Sequence, residues 1–136
     1  MQNSYIFVAV FEPAVEGGYC VSFPDLRGCR TEGDTLQDAI HMAKDALKLH
    51  LYEMEADNSC SIPEPSAPEN IEIGNYEKGA FVVPVEINMV AYRDRMNNKA
   101  VKKTLTIPYW MNQEAEKRNI NFSQILQDAL KEKLSI

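Results

Sequence analysis

One short strand near the C-terminal end constrains this chain most. Val101-Lys102-Lys103-Thr104-Leu105-Thr106-Ile107 alternates apolar with polar and is closed by Pro108, which predicts a strand with one buried face. Beyond it the period changes. Tyr109 to Arg118 suit a short helix turned inward through Trp110 or Met111 and Ala115, and Pro108 is a good first helical residue. Asn119 suits the left-handed position after a helix, and Asn121 caps a second helix with the stripe Ile125, Leu126, Ala129, Leu130 and Leu134. A segment of about 35 residues buries too little apolar surface to be stable alone. Its single strand also leaves backbone groups unpaired. Pairing with the same strand of a second copy about a two-fold axis answers both problems. The product is a two-stranded ribbon backed by four helices, and such a ribbon fits the major groove of DNA, about 12 Å wide.

Side-chain alternation assigns roles within the ribbon. Leu105 and Ile107 face the helices and join Trp110, Ile125, Leu126, Ala129 and Leu130 in a dimer core. Lys102, Thr104 and Thr106 face outward, where a threonine meets base edges and a lysine meets guanine or phosphate. Asn121, Phe122 and Ser123 open the second helix, whose free amides and positive dipole end suit a phosphate.

The preceding residues read differently. Residues 5–11 and 19–23 are strands joined by a hairpin at Gly17-Gly18, and a short third strand covers about 29–31. Connections this short imply an antiparallel meander. Asp34 or Thr35 caps a helix of about 20 residues whose stripe is Leu36, Ile40, Ala43, Leu47, Leu51 and Met54, with Gln37 or Asp38 reaching back to the cap. Residues 57–79 contain Pro63, Pro65 and Pro68 and read as a long loop of low order that is open to proteolysis. Residues 80–87 form another strand, in which Pro84 demands an edge or a bulge. The expectation is an α+β chain: a βββαβ module over 1–90, a polar connector over 91–100, and the strand-helix-helix tail over 101–136.

Charge divides at the same place. Residues 1–90 carry 5 Lys/Arg and 15 Asp/Glu, a balance of −10, and residues 91–136 carry 9 and 5, a balance of +4. The acidic module should repel phosphate and attract a basic partner, while the tail suits a polyanion.

Enzyme signatures are missing. The strand over 5–11 holds no acidic residue that could help bind Mg²⁺ pairs, and Glu12 and Asp25 sit in or beside turns as solvated groups. His41 and His50, nine residues apart on one helix, point to opposite faces and share no metal. Cys29 reads as a buried structural thiol, and Cys60 as a bystander in the loop. No catalytic residue, metal or cofactor is expected. Three cysteines without a CxxC pair, no basic leader and no long apolar run suggest a soluble cytoplasmic protein that does not enter membranes.

Several segments resemble one family. Lys103-Thr104-Leu105-Thr106-Ile107-Pro108-Tyr109-Trp110-Met111-Asn112, followed by Ile120-Asn121-Phe122-Ser123-Gln124-Ile125-Leu126-Gln127, is similar to the ribbon-helix-helix tail of HicB-type antitoxins. Gly18-Tyr19-Cys20-Val21-Ser22-Phe23-Pro24-Asp25-Leu26-Arg27-Gly28-Cys29 resembles the family's glycine-aromatic hairpin and Pro-Asp-Leu-x-Gly-Cys segment, with Arg27 where many members have proline. Ala91-Tyr92-Arg93 matches the connector. The resemblance implies a partial ribonuclease-H-like N-terminal domain that binds and neutralises a HicA-type toxin, a small basic ribonuclease. It also implies a C-terminal module that dimerises and represses the shared operon by binding operator DNA. The alternative from the residues is a stand-alone ribbon-helix-helix regulator whose N-terminal domain senses a small ligand.

Overall fold

A computed structural model describes residues 2–136 and shows a mixed α+β chain with a four-stranded antiparallel sheet and four α-helices. The sheet comprises β1 (Ser4–Pro13), β2 (Tyr19–Ser22), β3 (Arg30–Gly33) and β4 (Phe81–Asn88), in the order β3-β2-β1-β4. The antiparallel meander is as expected. Its hairpin needs glycine at Gly18: φ is +76°, and a Cβ there would strike the Gly33 carbonyl. β4 lies at an edge and pairs only with β1, opposite it from Ser4↔Asn88 to Phe11↔Phe81. Pro84, paired with Val8, is tolerated there because an edge strand has one side that needs no ladder donor.

The helix α1 (Leu36–Ala56) lies across one sheet face. Thr35 caps it, accepting from the Asp38 amide at 3.1 Å, and the Asp38 carboxylate reaches back to the Asp34 amide at 3.1 Å. Ala39, Ala43, Leu47 and Leu51 are buried at a spacing of four, against Tyr5, Phe7, Ala9 and Phe11 of β1. Leu36, expected inside, is exposed, and Ala39 replaces it: in the first turn the chain has only just left β3. That approach is close enough that a Cβ on Gly33 would collide with the Ala39 backbone. Each large apolar side chain buried here contributes about 1.5–3 kcal/mol.

Two expectations about connecting segments need correction. The polar connector contains a helix, α2 (Val90–Asn97). No apolar stripe announced it, because polar contacts hold it. Arg93 Nε and Nη2 donate to Glu55 Oε2 at 2.9 Å and Oε1 at 2.8 Å, and Arg93 also reaches Asn3 Oδ1 and the Gln2 carbonyl. Tyr52 donates to Asn97 at 2.8 Å and meets Tyr92 edge-on. The segment over 57–79 is likewise tethered and includes single-turn 3-10 helices at Pro68–Asn70 and Ile73–Asn75. The amide and hydroxyl of Ser66 donate to the two Asp25 oxygens at 2.7 and 2.6 Å, and the Glu77 amide donates to Glu12 at 3.0 Å.

The chain divides into two compact units, one ending at Lys99 and the other Ala100–Ile136. The second contains α3 (Tyr109–Lys117) and α4 (Phe122–Leu134).

Candidate functional site

The second unit is a helical hairpin built on local signals. Asn119 has φ +52°, the left-handed turn that ends α3, and the Ile120 amide closes back on the Ala115 carbonyl at 3.1 Å. Asn121 caps α4 by accepting from the Gln124 amide at 3.1 Å. Helix geometry leaves the amides of Phe122 and Ser123 without an intrahelical acceptor.

Residues 101–107 form no strand in the single chain, against expectation. A strand exists only through its ladder, and among the described residues no second backbone lies beside this segment. Lys102, Thr104 and Thr106 are exposed, but so are Leu105 (65%) and Ile107 (45%), so the alternation separates no inner face from an outer one. The expected core residues fare alike: Trp110, Ile125, Ala129 and Leu130 are exposed and Leu126 is half-buried. No described residue of Ala100–Ile136 is buried. A helical hairpin with an apolar surface and no interior of its own is an unfinished core.

In the first unit, sequence reasoning placed Glu12 and Asp25 in solvent, and the structure instead gives both carboxylates to the 57–79 segment. Cys29, His50, Glu53 and Arg30 line a shallow depression of about 210 Å³. Cys29 is a poor nucleophile there, because burial pushes its thiol up to about 11, and Sγ donates to the Ala46 carbonyl at 3.8 Å. His41 pairs with Asp45 on the surface of α1, at 3.3 Å. Cys20 and Cys60 are exposed, and hydrogen bonding to Asp57 raises the Cys60 thiol. Among the described residues, no group of three or more His, Cys, Asp or Glu could hold a metal ion, and no helix is long and apolar enough to cross a membrane. The Arg93–Glu55 pair and the Asp25–Ser66 contact escaped the sequence because both join residues far apart in the chain with no local signal.

The family model for the HicB_like antitoxin of bacterial toxin-antitoxin systems matches residues 7–130. The chain belongs to the HicB-like antitoxin family. Antitoxin HicB 1 of Photorhabdus laumondii is 42% identical over 59 residues, which are 43% of this chain and 37% of that antitoxin. The match thus spans well under half of that relative. A chain of a toxin-antitoxin complex from Streptococcus pneumoniae shares the fold, with a TM-score of 0.64, 24% identity, and coverage of 96% of this chain and 99% of that one. The crystal structure of the antitoxin HicB3 gives a TM-score of 0.52 at 27% identity, covering 95% of this chain and 97% of that one.

Proposed function

We propose that this HicB-family chain is an antitoxin with two separable binding activities. The first unit, a partial ribonuclease-H-like domain over about 1–99, binds and neutralises a HicA-type toxin. The second, over 100–136, pairs with its copy as a ribbon-helix-helix module and binds operator DNA as a repressor. The chain itself is not an enzyme in this reading.

The observation that carries the DNA-binding half is the unfinished core. Residues 101–107 lack a ladder partner while Leu105, Ile107, Trp110, Ile125 and Leu130 stand exposed beside or after them. A second copy supplies a strand for the ladder and apolar surface for the helices at once. Pairing would then separate Leu105 and Ile107 from Thr104 and Thr106 onto opposite faces, directing the threonines and Lys102 toward base edges. The amides at Phe122 and Ser123 would take the flanking phosphate. The antitoxin half is supported by family membership and by the −10 balance of residues 1–90, which suits a basic toxin.

A chain ending at Lys99 tests the division. The cut keeps α2, which Arg93 ties to Glu55. The shortened chain should bind the toxin as the full chain does and lose promoter binding. Loss of toxin binding in a folded 1–99 chain would refute the division of labour.

A further inference from the structure

β1 has two apolar faces, and α1 covers only one. Val8 and Val10 point away from the helix-side core yet are 3% and 0% exposed, because the 57–79 segment crosses the opposite face. Coverage stops short at Ile6, which is 51% exposed. The result is a groove of about 520 Å³ between sheet and segment, with Ile6, Val8 and Pro84 on the sheet side and Ile62 opposite. The register sets Ile6 beside Glu86 and Val8 beside Pro84 on that face. Glu86 and Glu64 line the same groove, and no Lys, Arg or His does. Among the described residues neither glutamate forms an ion pair. The covering segment is itself acidic, with Asp57, Glu64, Glu69, Glu72 and Glu77 against Lys78 alone, a balance of −4.

We propose that this groove is where the first unit receives its basic protein partner, seating an apolar side chain flanked by lysine or arginine. The proposal rests on the toxin-binding reading above and adds the face to it. Shape and the lack of basic side chains decide between surfaces. The exposed apolar pair Met42 and Leu49 on α1 shares its helix face with Asp38, Asp45 and Glu53, but it stands on a convex helix, and the depression beside Leu49 mixes Glu53 with Arg30 and His50. The Glu64–Glu86 groove joins carboxylates to a concave apolar seat with no basic side chain in its lining, which suits a basic partner. The groove is also held open in advance. Prolines stiffen its far wall and the Asp25–Ser66 contact pins it, so little ordering cost falls on binding.

Calorimetric titration of the full chain with a separately purified HicA-type toxin tests this. Ile6→Lys should weaken binding at least about tenfold. The paired neutral substitution Glu64→Gln with Glu86→Gln, at exposed positions that the fold tolerates, should weaken it and flatten its dependence on salt. Thermal melts confirm that each variant is folded. Unchanged toxin affinity in the folded glutamine pair and in Ile6→Lys would overturn the proposal while the toxin-binding reading stands. Altered self-association with intact toxin affinity would overturn it too, by identifying the basic tail of a second copy as the occupant. A wild-type chain that ignores the toxin would overturn both.

Discussion

Removing the Arg93 guanidinium leaves the Glu55 carboxylate, only 6% exposed, with no cation beside it. An uncompensated charge at such a site costs about 3 kcal/mol. Arg93→Ala should therefore lower the stability of the full chain by about that much in urea unfolding. Arg93→Lys should recover only part, since an ammonium keeps the charge and loses the two-point contact. A loss below about 0.5 kcal/mol would place the pair among ordinary surface bridges. Cys29 gives the opposite kind of residue effect. Its thiol titrates at about 11 when folded and about 9 in the unfolded chain, so the folded state holds the proton longer. The stabilisation is complete below about pH 9 and is lost as pH rises toward about 11. Unfolding measured across that window should show a shallower decline for Cys29→Ala than for the wild type. Parallel declines would contradict it.

Elements held by a periodic apolar face were legible, and elements held by polar contacts were not. The α1 stripe was visible because Ala43, Leu47 and Leu51 recur at helical spacing, and β4 because β-branched residues cluster around Pro84. The α3–α4 hairpin was visible through its punctuation, Asn119 and Asn121. The α2 helix gave no such pattern: its anchors are an arginine, an asparagine and a tyrosine whose partners lie on α1 and at the chain's start. Proline content identified the 57–79 segment as irregular but could not say that Asp25 and Glu12 hold it down. The segment over 101–107 is the reverse case, where the alternation is plain but no ladder partner is present in the single chain. Its proposed role makes a prediction at this scale. Thr104→Ala with Thr106→Ala should weaken promoter binding by about 1–3 kcal/mol per lost base contact and leave toxin binding intact. An equal loss on random DNA would show that these residues do not read bases.

At the scale of the molecule, the chain joins two units with opposite electrostatic characters and opposite states of completion. The first has a closed core, an acidic surface and an open groove. The second has capped helices, basic residues and no buried side chain among those described. In the proposed function a basic protein fills the first deficit, and a second copy and then operator DNA fill the second. The most direct measurement is a titration of the full chain against its own promoter duplex and a scrambled duplex at two salt concentrations. The account predicts tighter binding to the promoter, by a dimer, with affinity falling as salt rises. Equal affinity for the two duplexes, or no binding to either with and without toxin, would contradict it.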